Sequence, residues 1–232
     1  MSRKPFSEKT RLSRRILSAN FLLLFNAFTW YYMSLQVKNT IIQNLTQEQA
    51  SLVDAGYLGT ITAFAIIGSI ICNKIRRKLF LSWWMTLGVV ASLLLMLSQN
   101  VSFEGVFAMF FFLGAVFGVG MPSCLASFAD SIAIENRGRI GGLIFLTVSV
   151  SFIPLGMLFE IYSLASNAAI LAVWRLFGLI AFLLSSPKEE ISVVEKPSHV
   201  RFISIFQSRM FILYFIPWFI FSLLDSFEGT II

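Results

Sequence analysis

The sequence predicts an all-α polytopic membrane protein, on three observations. The chain of 232 residues is 57% hydrophobic and only 13% charged, against roughly 25% charged in an average soluble domain. Phe alone occurs 25 times. That is more apolar surface than a soluble core of this size can hide, so lipid acts as its solvent. The apolar residues also gather into long runs. Crossing ~30 Å of hydrocarbon takes about 20 helical residues at ~1.5 Å each, and seven runs reach that length.

The first run, residues 16–35, follows a basic leader over residues 1–15. It exceeds the usual signal-peptide core of about 7–15 residues and has no small-residue cleavage site after it, so it reads as an uncleaved anchor. The second, 51–72, stops at the basic stretch "SIICNKIRRK". The third, 79–97, opens with Trp83 and Trp84, which read as interfacial anchors. The fourth, 103–129, is rich in glycine and contains Pro122. The fifth and sixth cover 140–160 and 165–185. A mixed-charge linker over 187–209 then precedes a seventh run, 210–227. The expected organisation is a six-helix bundle over 16–186, the linker, and a seventh helix over 210–232 that starts a second, incomplete bundle.

Lysine and arginine fix the expected orientation. Arg3, Lys4, Lys9, Arg11, Arg14 and Arg15 precede the first helix. Lys74, Arg76, Arg77 and Lys78 follow the second, Arg137 and Arg139 the fourth, and Lys188, Lys196, Arg201 and Arg209 the sixth. All of these fall on one side of the membrane, and Lys38 alone falls on the other. The positive-inside rule puts the N-terminus and the basic side in the cytoplasm, most simply at the plasma membrane. The net charge of +6 is therefore a topology signal facing anionic lipid head groups, with no nucleic-acid partner implied. Two triplets, Asn44-Leu45-Thr46 and Asn100-Val101-Ser102, fit the N-glycosylation pattern and fall on the outer side.

Composition excludes several chemistries. Cys72 and Cys124 make neither a disulfide framework nor a metal pattern and read as small packing residues. The one histidine, His199, lies in the linker. No metal or other cofactor is expected. No cluster of ionisable groups shares one depth, which argues against a membrane enzyme.

Two short motifs carry a resemblance. The first is the basic stretch between the second and third helices: Ser69, Asn73, Lys74, Arg76, Arg77 and Lys78. The second, "DSIAIENRGRIGG", holds Asp130, Glu135, Arg137, Gly138, Arg139, Gly141 and Gly142, between the fourth and fifth. Ahead of it lie Gly114, Gly118, Gly120 and Pro122, and glycines at four-residue spacing let helix backbones approach closely. With six helices, a long linker and a seventh helix, the chain resembles the major facilitator superfamily of secondary transporters. Ser69 and Arg76 stand where that family's gating signature has glycines, and Asn73 stands in place of its aspartate. The resemblance spans the whole chain, but only the N-terminal half of a twelve-helix member plus its seventh helix. It implies about five further apolar spans beyond Ile232.

The resemblance also implies a cavity lined by the first, fourth and seventh helices. Its candidates are Asn26 with Trp30, Ser123 with Ser127, and Tyr214 with Trp218, each of which also suits ordinary helix packing. The groups that meet the basic stretch are expected in the missing second bundle. Arg175, midway along the sixth run, is an intramembrane cation with no carboxylate at its depth; structural support and anion binding are its two readings. Asp225 and Glu228 lie toward the outer end of the seventh run, so no proton site is evident, although a proton or ion is the usual coupling species. The expected function is transport of a small solute by alternating access. A non-transporting accessory or assembly protein is the alternative, and an inverted seven-helix receptor a weaker one.

Overall fold

The computed structural model describes residues 14–72 and 74–185, together with Arg209, Ile212, Leu213, Ile216 and Ile220. The chain divides into two compact units, Met1–Val194 and Glu195–Ile232. In the first, six helices run α1 (Arg14–Ile42), α2 (Gln47–Ile71), α3 (Arg77–Leu94), α4 (Phe103–Ser131), α5 (Ile134–Ile161) and α6 (Leu164–Ser185). A 3₁₀ segment, Leu95–Asn100, extends α3. Among the described residues there is no strand.

Every helix outruns its apolar stretch at one end or both, α6 by a single residue, because a helix continues past the hydrocarbon until a cap stops it. The largest extension is at α1, which reaches Ile42. Val37 and Ile41 are buried there and Lys38 is 7% exposed, so packing carries the helix onward. A capping box then starts α2: the Gln49 amide donates to Thr46 Oγ1 and the Thr46 amide donates to Gln49 Oε1. The turns between α4 and α5 and between α5 and α6 are only two residues long, so these helices are antiparallel neighbours in sequence.

Helices α2–α6 are each long and apolar enough to cross a membrane. Helix α1 is more polar, and its polarity is turned inward. Asn20, Asn26, Thr29, Ser34 and Lys38 are all buried. The Thr29 and Ser34 hydroxyls bond back to carbonyls within the helix, at 2.6 Å to Phe25 O and 2.7 Å to Tyr31 O. Satisfied in this way, a polar helix face tolerates an apolar surrounding.

The tightest pairing is α2 against α4, and glycine is the reason. A Cβ at Gly68 would meet the Val119 backbone, one at Gly114 would meet Thr60 and the Tyr57 carbonyl, and one at Gly118 would meet the Ile61 carbonyl. The two backbones touch where those side chains are missing. Helix α6 lies against both α1 and α3. In the second unit the described residues Arg209, Ile212, Leu213, Ile216 and Ile220 are helical and exposed. The rest of the expected seventh helix, including Tyr214 and Trp218, lies outside the described residues.

Candidate functional site

At the end of the bundle that carries the α2–α3 and α4–α5 connectors, Arg77 and Asp130 meet. Arg77 opens α3, and its Nη1 donates to Asp130 Oδ2 at 2.7 Å in the last turn of α4. The basic stretch therefore finds a carboxylate inside its own bundle, which corrects the expectation that its contacts lie only in a second one. That carboxylate is 53 positions away in sequence. Next to this pair, Arg137 Nε donates to the Ile132 carbonyl at 2.9 Å and so folds the α4–α5 turn. Glu135 lies in the first turn of α5, where a negative charge suits the positive end of the helix dipole. Lys74, Arg76 and Arg139 are exposed, and Lys78 is half-buried. Ser69 Oγ donates to the Ile66 carbonyl. Asn73 lies outside the described residues. Gly141 is buried beside Phe128, whereas Gly138 and Gly142 face open space.

At the opposite end Lys38 of α1 pairs with Asp54 of α2. The ammonium also lies 5.9 Å from the centre of the Tyr57 ring. Sequence reading singled out Lys38 as the lone cation of its side and left Asp54 unassigned. It did not join them, since the contact depends on helix rotation.

Between these ends, midway along α6, is Arg175. Its side chain is fully buried and among the largest so enclosed. Nη1 donates to Asn26 Oδ1 at 2.9 Å. The indoles of Trp30 and Trp84 lie against the guanidinium, 4.6 and 4.2 Å from Cζ to the ring centres. Each indole is anchored in turn. Trp30 Nε1 donates to Ser92 Oγ at 2.9 Å, and Trp84 Nε1 donates to the Val116 carbonyl at 2.7 Å. Asn26 Nδ2 donates to the Trp174 carbonyl at 2.8 Å, while Trp174 Nε1 donates to Thr29 Oγ1 at 2.8 Å. Glycine again makes the room. A Cβ at Gly178 would lie within the Asn26 amide, and one at Gly120 within the Trp84 indole.

Asn26 and Trp30 thus come together with Arg175 from α1, and Trp84 joins them from α3. Trp84 is no interfacial anchor: it is 1% exposed, while its neighbour Trp83 is 63% exposed. Ser123 is buried on α4 with no hydrogen-bond partner among the described residues, and Ser127 is half-buried. The less buried side of α1 carries aromatic rings, with Phe28 against Phe145 and Tyr32 stacked on Phe152 of α5 at 3.9 Å.

The magnitudes leave Arg175 incompletely satisfied. Placing an arginine at mid-membrane costs roughly 2.5–3.5 kcal/mol. A hydrogen bond to a charged group returns about 1.5–3 kcal/mol, and each aromatic face about 0.5–2 kcal/mol. Those terms offset the insertion cost. Yet Nε and Nη2 have no partner among the described residues, and each unmet buried donor costs about 1–3 kcal/mol.

A family model, that of the Major Facilitator Superfamily, matches residues 19–230. The chain belongs to the major facilitator superfamily. Its fold is also that of a solved structure, a POT family transporter in complex with 5-aminolevulinic acid, with a TM-score of 0.60 and 21% identity. The alignment covers 93% of this chain and 47% of that one, so this chain spans about half the length of that transporter. No curated protein matches significantly. As a superfamily member the chain is an integral membrane protein, and the two motifs that carried the resemblance are joined directly by Arg77 and Asp130.

Proposed function

We propose that this chain is the N-terminal bundle, linker and seventh helix of a secondary transporter. It carries a small solute across the plasma membrane by alternating access, with its N-terminus in the cytoplasm. Alternating access needs a contact at each end of the bundle that forms and breaks as the halves rock. The observation that carries this reading is the Arg77–Asp130 pair, which binds the two signature connectors at one end. Lys38 and Asp54 supply a corresponding contact at the other. Both pairs are partly open to solvent on the carboxylate side, so both can exchange partners. The candidate solute-facing residues of this bundle are Asn26, Trp30, Tyr32, Ser123 and Ser127. A proton or ion is the candidate coupling species.

The test is access to one position from both sides. Tyr32→Cys is made in the natural full-length protein after Cys72 and Cys124 are replaced by serine. Right-side-out and inside-out vesicles are then treated with a membrane-impermeant maleimide. Alternation predicts labelling from either side, with the two rates moving in opposite directions when a solute or gradient biases the equilibrium. Labelling from one side only, at a rate nothing shifts, supports a static accessory role and removes the transport reading.

A further inference from the structure

Beside the first turns of α5 lies a groove of about 390 Å³, whose lining among the described residues is Arg139, Ile140, Gly142, Leu143 and Leu146. That volume falls within the ~300–1,000 Å³ of small-molecule sites. Steps of three and four residues link Arg139 to Gly142 and Leu143, and those two to Leu146, so the four share one face of the helix. Leu143 and Leu146 are exposed there, at 60% and 62%. Gly142 leaves the gap between the side chains. Its neighbour Gly141 lies beside Phe128, and Gly68, Gly114 and Gly118 let α2 touch α4. A Cβ at Gly142 would meet nothing within 4 Å. No contact inside the bundle therefore compensates for the helix propensity that this glycine forgoes, and the gap faces outward.

Charge and depth decide what fits. The apolar run of α5 begins at residue 140, so Arg139 sits at the edge of the hydrocarbon. Leu143 and Leu146 lie about 6 and 10.5 Å further along the axis, within it. Arg139 is exposed. It makes no hydrogen bond or ion pair with a described residue, even though Glu135 stands one turn back on the same helix. Other cations of this end are committed: Arg77 pairs with Asp130, and Arg137 holds the Ile132 carbonyl. A free guanidinium at head-group level, above an open apolar groove, complements a molecule with an anionic head and a hydrocarbon tail. A small soluble anion would use the arginine and leave the groove empty. A facing protein helix would fill the groove and leave the guanidinium unpaired, unless it carried an acid at that one depth.

We propose that this groove binds one anionic phospholipid. Its phosphate seats on the Arg139 guanidinium, which presents parallel donors to two phosphate oxygens. One acyl chain runs over Gly142, against Leu143 and Leu146. With the orientation proposed above, Arg139 faces the cytoplasmic leaflet, where anionic lipids concentrate. The site differs from the general attraction of a basic surface to such lipids, because it depends on one arginine and one glycine and not on net charge. It needs Arg139 at a membrane surface and does not depend on solute transport, so either reading can fail and leave the other standing.

The experiment uses the purified, delipidated full-length protein in detergent. Dioleoyl phosphatidylglycerol is titrated in, and the retained lipid is counted by native mass spectrometry. Dioleoyl phosphatidylcholine, with the same chains and no net charge, and inorganic phosphate, without chains, are the comparisons. The expected result is one phosphatidylglycerol retained at a concentration at least fivefold lower than phosphatidylcholine needs. R139Q should remove that preference, and R139K should keep part of it. G142L fills the groove but keeps the arginine, and should weaken retention of phosphatidylglycerol at least threefold. K74Q removes an exposed cation outside the groove and should change nothing. Arg139 and Gly142 are both exposed, so either variant carries the test alone if the other is not obtained. Equal retention of the two lipids by the parent protein would overturn the proposal. So would an unchanged preference in R139Q, unchanged retention in G142L, or a loss in K74Q equal to that in R139Q. Inorganic phosphate that competes as well as the lipid would mean that the groove adds nothing, with the same consequence. A groove covered by a second bundle gives no Arg139-dependent lipid in the full-length protein, and that outcome also removes the proposal.

Discussion

Arg77 and Asp130 lie 2.7 Å apart across the turn ends of α3 and α4. They join two motifs that sequence reading treated as separate. Their side chains are 32% and 41% exposed, so water screens the pair and its stability contribution falls in the range of about 0.2–1 kcal/mol. R77A and D130N should therefore lower the melting temperature by no more than a few degrees. Their effect on solute flux in proteoliposomes should be several-fold, because the pair sits where the bundle end must open and close. The exchange R77D/D130R should recover part of that flux. A double variant no better than the worse single one would show that the two residues act independently.

Lys38 and Asp54 behave differently because burial is unequal. The Lys38 side chain is 9% exposed and that of Asp54 is 43% exposed. Removing the carboxylate strands a buried ammonium, a change that costs roughly 3–5 kcal/mol when the burial is complete. Removing the ammonium leaves a carboxylate that water can reach. D54N should thus destabilise the protein clearly more than K38M, as read by thermal unfolding in detergent. Equal losses would mean that the ammonium finds another partner.

The glycines separate into two sets that one experiment can tell apart. At Gly68, Gly114 and Gly118 an added methyl meets the backbone of the facing helix, whereas at Gly59 and Gly142 it meets nothing within 4 Å. Forcing a methyl into a closed helix contact costs roughly 1–3 kcal/mol, while alanine improves helix propensity by up to about 1 kcal/mol. G118A should lower the melting temperature by several degrees. G59A and G142A should leave it unchanged or raise it slightly. A fall for G59A as large as that for G118A would contradict the close approach of α2 and α4.

Sequence reading reached the fold because length and apolarity suffice for helices in lipid, where every backbone group must be bonded within its own segment. The six described helices lie where the runs predicted them, and the glycine spacing on α4 anticipated its close contact. Helix ends were less legible. α1 gains a turn and more from the burial of Val37 and Ile41 and from the Lys38–Asp54 pair, and these are tertiary facts. Rotation about each helix axis was the largest gap. In a soluble helix polar residues mark the outer face, but in lipid both faces are apolar and the period that would orient the helix is weak. Thus Asn26 was paired with Trp30, and Arg175 was singled out, without the three being placed together. The pairing of Arg77 with Asp130 was equally out of reach.

Trp83 and Trp84 show that gap at its smallest scale, since the two are adjacent and identical. Only Trp84 faces inward, where its indole N–H meets the Val116 carbonyl at 2.7 Å and its ring lies 4.2 Å from Arg175 Cζ. Phenylalanine in its place keeps most of the apolar volume but deletes the donor, leaving a buried carbonyl without that bond, and weakens the cation–π contact. Those losses are each about 1 kcal/mol in order of magnitude. Position 83 is largely exposed, and a change of one exposed aromatic for another costs within about 0.5 kcal/mol. W84F should therefore unfold several degrees below the parent protein, and W83F should match it. If both variants melt alike, the contribution assigned to the contacts of Trp84 with Val116 and Arg175 fails.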